Sequence, residues 1–491
     1  MATEYVLGVD LGTSSCKVAL VGIDGVVAAT GRAEYPTSTP HDGWAEQSPA
    51  SWFDAVIHAV RAALARGAVS GPDVKAVSLT SAAHIAVLIG AHGNEIRNSI
   101  LWNDVRSAPD AAELEEEHGE YIRNTTLNAV TPTWSLAHLA WIRRTEPDIW
   151  KVTDRVCFSK DYIAFRLTGA FTTDPGTATA SMLYDAIDGR WSETICSWLD
   201  LDPRKLPRIE AARAVIGTVR KDAADALGLK EGTPVVNGTL DSATETYAAG
   251  ACSPGSAVIR LGTAGGIHVV SVNPYSDRRL ITYPHPNAPL WYAQAGTTSA
   301  GSAIEWALDA LAAGRRLSHS EFVALAETAP VGSDGLVFRP HLAGERCPYW
   351  DPSLRGGFSG LSMRHGAGHL ARAVIEGVAF SLVDAFSVFA SQGVVLGSVS
   401  VVGGGCRNGV LLQTVSDVFN RPIVIQEHAD SSLGAALLAI ETITGAVGNG
   451  KTDIRAHGER RTIVPSPENA RVLTAMVAEY VSVVSALKSR D

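Results

Sequence analysis

Two stretches of the chain repeat one another 250 positions apart, and this repetition restricts the fold more than any other feature. The first is Val6-Leu7-Gly8-Val9-Asp10-Leu11-Gly12-Thr13-Ser14-Ser15-Cys16-Lys17-Val18-Ala19-Leu20: an apolar run ending in an acid, a small turn, and a second apolar run. The second runs from Val258 to Val270 and has the same shape around Leu261-Gly262-Thr263. Each reads as a strand, a turn and a returning strand. Successive N–H groups in a tight turn form an anion-binding nest, and a carboxylate at its mouth suits a hydrated Mg²⁺. The acid occurs only in the first copy; Arg260 stands where Asp10 would be. Two facing turns would hold the two ends of a triphosphate. Taken alone, either copy is also an ordinary hairpin, since short glycine motifs match by chance.

A length of 491 residues implies two or three domains, and the repeat puts the division at 1–245 and 246–491. The net charge of −10 argues against general nucleic-acid binding, which needs a basic face. Six cysteines are scattered with no Cys-x-x-Cys, against both a zinc ribbon and a disulfide framework. No basic-then-apolar leader precedes Val6. The weakly polar stretch from Gly377 to Gly405 carries Asp384 and several glycines, and reads as a buried helix followed by a strand. A cytoplasmic α/β protein with no membrane partner is expected. Gly445-Ala446-Val447-Gly448-Asn449-Gly450-Lys451-Thr452 matches a P-loop letter for letter. A P-loop must follow a strand and open a helix; here a helical pattern over 433–443 precedes it, so it reads as a coincidence in a surface loop.

In chain order, Trp52, Val56, Ala59, Val60, Ala63 and Leu64 share one face of a helix over 51–64. A buried strand over 74–79 ends in Thr80-Ser81-Ala82-Ala83-His84. Ligands of open α/β sheets sit beyond the carboxyl ends of strands, so His84 is a candidate sugar contact, or a hydrogen-bonded structural histidine. In Leu101-Trp102-Asn103-Asp104-Val105-Arg106, Trp102 could stack on a sugar while Asp104 and Arg106 bond its hydroxyls; a salt-bridged loop is the alternative. Lys160-Asp161 at a helix start reads as capping. Asp241 opens a helix that stops at Gly250. It reads either as an N-cap or as the general base that orients a hydroxyl for attack on a γ-phosphate. Gly403-Gly404-Gly405 after a strand would let a flat adenine lie against backbone.

These residues resemble the FGGY family of carbohydrate kinases over nearly the whole chain. The resemblance rests on Asp10-Leu11-Gly12-Thr13, Leu101-Trp102-Asn103-Asp104, Asp241, Leu261-Gly262-Thr263, Gly344-Glu345-Arg346, Gly403-Gly404-Gly405, and above all Gly356-Gly357-Phe358-Ser359-Gly360-Leu361 with His369-Leu370 and Ala373-Val374-Ile375-Glu376. It implies two ribonuclease-H-like α/β domains, of the kind shared with actin and heat-shock chaperones, holding ATP and Mg²⁺ between them and closing over the sugar. The catalytic base maps onto Asp241 and the metal-side acid onto Asp10. Substrate contacts are expected from Ala83, His84, Trp102, Asp104 and Asp241. Nucleotide contacts are expected from Gly12, Thr13, Ser14, Lys17, Gly262, Thr263, Gly404, Gly405 and Asn408. Leu101-Trp102-Asn103-Asp104-x-Arg106 is most similar to the xylulokinase branch. Glycerol kinases carry an Arg-Glu pair in the loop that here reads Ser81-Ala82-Ala83-His84, and xylulokinases usually carry Gln-Met-His; Ala82 and Ala83 replace Gln and Met. His138 replaces a usual Lys, and Cys347 a common Thr. The expected activity is ATP-dependent phosphorylation of a ketopentose such as D-xylulose, with ribulose, gluconate or erythritol kinases as alternatives and room for a homodimer. From a different class, a non-catalytic nucleotide-dependent sugar sensor of the same fold is the alternative.

Overall fold

A computed structural model describes residues 4–312, 314–445 and 461–488. The first half is built on strands β1 (Tyr5–Leu11), β2 (Ser15–Gly22) and β3 (Val27–Glu34), helix α1 (Pro49–Gly67), strands β4 (Val74–Ser81) and β5 (Val215–Thr218), with helix α2 (Ser159–Thr168) between them, then β6 (Pro234–Leu240) and helix α3 (Asp241–Ala248). The second contains β7 (Ala257–Leu261), β8 (Gly265–Ser271), β9 (Ile281–Pro284), β10 (Trp291–Thr297), helices α4 (Gly301–Ala310) and α5 (Ala367–Ala390), β11 (Val399–Val402), helix α6 (Gly409–Phe419), β12 (Ile423–Ile425), helix α7 (Ser431–Thr444), β13 (Thr462–Ile463) and helix α8 (Pro467–Lys488).

The sheets run β5-β6-β4-β1-β2-β3 and β9-β10-β8-β7-β11-β12-β13. In the first, β1, β2 and β3 form an antiparallel meander, and β4 and β6 add in parallel on the other side of β1. In the second, β7, β8 and β10 form the meander, and β11 and β12 add in parallel beside β7. The repeated motif is therefore the visible end of a duplicated sheet, as two ribonuclease-H-like domains require.

Alternation along the central strands assigns the two faces of each sheet. Leu7, Val9 and Leu11 pack with Trp52, Val56 and Val60 of α1. Val6 points the other way, into a cluster with Leu433, Ala436 and Leu437 of α7. Helix α7 of the second half thus covers the first sheet. The reverse holds for α3: Ala243, Tyr247 and Ala248 share that same cluster with Val258, Val270 and Val402 of the second sheet. Thr246 Oγ1 meets His268 Nδ1 at 2.8 Å, and Ser400 Oγ donates to the Ala249 carbonyl at 2.7 Å. The exchange brings backbones together. A Cβ on Gly434 would sit 2.0 Å from the Thr244 carbonyl oxygen, and one on Gly8 1.9 Å from that of Ser432.

Among the described residues, α5 is long and apolar enough to cross a membrane. It is instead the core helix of the second domain, with Ala371, Val374, Ile375, Val378, Leu382 and Val388 wholly buried. Gly445 is the left-handed C-cap of α7, so the P-loop-like match follows a helix; its remaining residues lie outside the described residues. The acidic helix expected over 111–118 spans Ala108–Thr126 and buries Leu114 and Ile122 on one face. Between α2 and β5, the expected loops with small strands also hold helices Pro175–Ser181 and Glu193–Trp198.

Two outcomes follow from the helix exchange. Gly434→Ala should lower unfolding free energy by about 1–3 kcal/mol, the usual cost of overpacking, because only backbone movement relieves the overlap. Urea titration checks this, and unchanged stability would contradict the close crossing. Burial, with Arg260 second, holds the His268 pKa down to about 3, against about 6.5 in an unfolded chain. Between those values the unfolded chain binds a proton that the folded protein refuses. Stability from this group is therefore lost as pH falls through that window, at about 1.4 kcal/mol per pH unit. His268→Gln removes that dependence, so its stability relative to the parent should rise by about that slope from pH 6 to pH 4. A pH-independent difference would show that His268 is not held neutral.

Candidate active site

The first glycine turn is fixed from behind. The Gly12 carbonyl accepts from the Tyr35 hydroxyl, and the Thr13 carbonyl accepts from Gln47 Nε2 at 2.7 Å. Gln47 is itself oriented by Trp52 Nε1 at 2.8 Å. Trp102 Nε1 donates to Thr13 Oγ1 at 3.0 Å, tying the Trp102 loop to the turn. Ser14 and Lys17 are exposed beside it, with Lys17 opposite Asp10 across the ladder. The second turn is held by the start of α4: the N–H groups of Gly301 and Ser302 donate to the carbonyls of Gly262 and Thr263 at 2.9 and 3.1 Å. The N–H groups of Gly12 and Gly262 are spent inside the turns, on the carbonyls of Ser15 at 3.2 Å and Ala264 at 3.1 Å, so the groups left for an anion are those of Thr13, Ser14 and Thr263.

Between the turns lies a group of carboxylates. Asp10 closes β1, buried, with its Oδ1 lacking a hydrogen-bond partner. Its pKa is pushed well above the usual carboxylate value by burial, then by the charges of Asp241 and Asp430. Asp241 is the first residue of α3. Its Oδ1 accepts from the Ser242 N–H at 2.6 Å, and its carbonyl accepts from Ser431 Oγ at 3.0 Å, at the start of α7. Burial raises its pKa while Arg260 opposes the shift. Glu245, one turn along α3, is raised by burial and held down by Arg260. Asp430 caps α7 through the Leu433 N–H at 2.9 Å. Among the described residues no three or more His, Cys, Asp or Glu side chains form a metal cage. That suits Mg²⁺, which is held by one or two carboxylates, waters and substrate phosphates; the unpartnered Asp10 Oδ1 fits that role.

On the side where a sugar is expected, His84 has a left-handed backbone with φ of 66°. Its ring stacks on Trp134 at 4.0 Å between centroids, and its Nε2 lies 2.7 Å from the Tyr283 hydroxyl of β9. Burial, reinforced by His138, lowers its pKa to about 3, so it is neutral. Tyr292 reaches Ser242 Oγ at 2.9 Å, beside Asp241. Tyr283 and Tyr292 were not evident as site residues in the sequence, because β9 and β10 meet the first domain only through the tertiary fold. Ala82 is buried in the first domain's core, which leaves Ala83 half-buried next to His84.

Two expectations need correction. Asp104 is completely buried, and both its oxygens are filled: Oδ2 accepts from the Ala45 N–H at 2.6 Å and Arg106 Nη2 at 2.7 Å, and Oδ1 from the Arg106 N–H at 2.8 Å. It shapes the loop that carries Trp102 and offers no open acceptor to a sugar; Arg106 is likewise spent on Asp104 and Glu46. Asn408 caps α6, its Oδ1 accepting from the Leu411 N–H at 3.0 Å, which leaves its amide nitrogen to meet a nucleotide. Lys160 and Asp161 do not cap α2: Lys160 Nζ is buried between Asp161 at 2.6 Å and Asp174 at 3.1 Å, and is 3.3 Å from Asn237 on β6. In the glycine triplet, Gly403 has φ of 95° and a Cβ there would strike the Leu261 carbonyl at 2.7 Å, whereas Gly404 has only Arg407 within 4 Å, at 3.9 Å. Gly404 is the open position.

The comparisons with known proteins agree with this arrangement. Residues 5–246 match the N-terminal domain model of the FGGY family of carbohydrate kinases, and 257–442 the C-terminal one. A xylulose kinase of Bacillus subtilis (strain 168) is 31% identical over 441 residues, covering 89% of this chain and 88% of its own. The crystal structure of xylulose kinase from Rhodospirillum rubrum matches with a TM-score of 0.92 at 30% identity, covering 99% of both chains. That of gluconate kinase from Lactobacillus acidophilus matches with a TM-score of 0.93 at 26% identity, covering 99% of this chain and 98% of its own. With both domain models matched in order and the duplicated sheets facing a common cleft, the chain belongs to the FGGY family of carbohydrate kinases and is a sugar kinase.

Proposed function

We propose that this protein transfers the γ-phosphate of ATP to a hydroxyl of a ketopentose of the D-xylulose type, with Asp241 as the general base. The observation that carries the reading is the placement of Asp241. It is a buried carboxylate at the first residue of α3, anchored through Ser242 and Ser431, beside Asp10 and between the two turns. In the reaction the sugar hydroxyl gives its proton to Asp241 while its oxygen bonds to the γ-phosphorus. The bond from that phosphorus to the bridging oxygen breaks, and ADP leaves. Asp241 needs only to be ionised and within hydrogen-bond reach of the hydroxyl; Arg260 opposes the rise in its pKa and so favours the ionised form. Thr13, Ser14 and Lys17 on one side, and Gly262, Thr263 and Gly404 on the other, would receive the nucleotide. Asp10 would hold Mg²⁺, which neutralises charge on the phosphates when bound. His84, Trp102 and Ala83 would face the sugar. The likeness to a gluconate kinase supports a sugar-acid acceptor as a second reading.

A coupled ADP-release assay over D-xylulose, D-ribulose, erythritol and D-gluconate tests the substrate. D-xylulose should give the highest kcat/KM; a preference for gluconate would establish the second reading, and no turnover with any of them would sink both. Asp241→Asn should lower kcat by about 10²–10⁴-fold with an unchanged melting temperature. Turnover within about threefold of the parent would remove Asp241 from the role of base. Asp10→Asn should raise the Mg²⁺ concentration for half-maximal rate by roughly tenfold or more, as loss of a group that holds or orients a metal does; an unmoved Mg²⁺ titration would exclude Asp10 from the metal side.

A further inference from the structure

We infer that Arg260 is a further catalytic residue: a guanidinium delivered from the second domain to the phosphoryl group in transfer, and positioned by Glu245. The inference rests on the phosphotransfer reading above. It starts from a break in pattern. β7 is buried at every position except Arg260, on a strand flanked on both sides by β8 and β11. A charge at the centre of a sheet is costly unless it is paired or reaches solvent. Arg260 does both: its side chain is 54% exposed, and its Nε lies 3.4 Å from Glu245 Oε1. Its partner across the ladder is Gly266, which has no side chain to obstruct it.

The position matters as much as the charge. Arg260 precedes the Gly262-Thr263 turn by two residues, as Asp10 precedes Gly12-Thr13 on the equivalent strand. Glu245 lies one turn along α3 from Asp241. The guanidinium therefore stands between the second phosphate turn and the helix that carries the base. The nearby Arg346 is already engaged, its Nη2 donating to the Thr297 carbonyl at 2.6 Å. The contact of Arg260 Nε with Glu245 Oε1 is an ion pair and not a hydrogen bond, since that oxygen has no hydrogen-bond partner among the described residues; this leaves the Nη donors open. A planar fork with open donors is suited to two oxygens of a phosphoryl group. The charges of Glu245, then Asp241 and Asp10, favour its protonated form, so attraction to them would hold it in the cleft until substrate brings more negative charge. An arginine supplied to the transferring phosphoryl group in this way is worth about 10³-fold or more in rate.

The alternative is that Arg260 only neutralises Glu245. A double-mutant cycle separates the two, with kcat and KM measured for the sugar that the wild-type chain phosphorylates and affinity measured for a non-hydrolysable ATP analogue. Arg260→Ala should lower kcat by about 10³-fold, with analogue affinity and sugar KM within about threefold, and added guanidinium chloride should restore part of the rate. Arg260→Lys, which keeps the charge but loses the fork, should fall between. Arg260→Ala with Glu245→Gln should be no better than Arg260→Ala alone. Recovery of the double variant towards wild-type rate would overturn the proposal, as would an Arg260→Ala loss confined to KM or traceable to a lowered melting temperature that Arg260→Lys repairs together with full activity. Failure of the wild-type chain to phosphorylate any sugar would overturn the kinase reading itself, and is distinguished by appearing before any variant is compared.

Discussion

Helices α3 and α7 cross with backbone against backbone, at Gly434 and the Thr244 carbonyl, and the rest of the molecule is arranged around that contact. Each helix follows the last parallel strand of its own sheet and is buried against the other sheet. Neither sheet has a complete core alone: the first lacks cover for Val6, Ala19 and Ala76 without α7, and the second lacks cover for Val258 and Val402 without α3. Burying these apolar faces, at about 25 cal/mol per Å², holds the two halves together. It also fixes the functional geometry. Because the helices cross near their starts, the first residues of both, Asp241 and Ser431, face one cleft, with the ends of β1 and β7 beside them.

The electrostatics of the cleft follow from that convergence. Asp10, Asp241 and Glu245 are all raised by burial, and the charges of Asp241, Asp430 and Glu245 raise Asp10 further. A protein rarely concentrates desolvated carboxylates without a compensating cation. Within the cleft that compensation comes from Arg260 and Lys17, both on strand positions that point outward. Lysine and arginine are on opposite sides, one on each sheet, so a polyanion between the two turns would meet positive charge from both.

The duplicated sheet was legible in the sequence because its signals are local. A Gly-Thr turn at the end of an apolar run needs only a few residues to be seen, and Leu11-Gly12-Thr13 and Leu261-Gly262-Thr263 each carry the whole signal. The place of Asp241 at a junction of strand and helix was legible for the same reason. What stayed hidden depends on partners far away in the chain. Asp104 resembles a ligand by residue type, yet its oxygens are filled by Ala45 and Arg106. Lys160 resembles a cap until Asp174 and Asn237 are brought beside it. Tyr283 lies on a four-residue strand ending in Pro284, too short to show a period, and its contact with His84 spans 199 residues. Helix α8 continues after a stretch without apolar pattern, and its cover over Val337 and Phe380 is likewise a tertiary fact.

The duplication is most informative where it fails. Two strands with the same place in equivalent sheets, ending in the same Gly-Thr turn, present Asp10 and Arg260 at the same step. Their surroundings differ: Asp10 is buried opposite Lys17, whereas Arg260 is exposed opposite Gly266. On the phosphotransfer reading, the difference also suits what would lie between them. A nucleotide phosphate chain is anionic throughout, so an arginine can meet it directly, while an aspartate can approach it only through a cation. On the proposed reading, opposite charges at symmetric positions would suit an asymmetric occupant, with metal on the first sheet's side and phosphoryl oxygens on the second's. Tyr283 and His84 meet across the two halves as neutral groups, since burial holds His84 uncharged. A neutral wall with hydroxyl and imidazole hydrogen-bonding groups suits a polyol, and it leaves the charged chemistry to the strand ends.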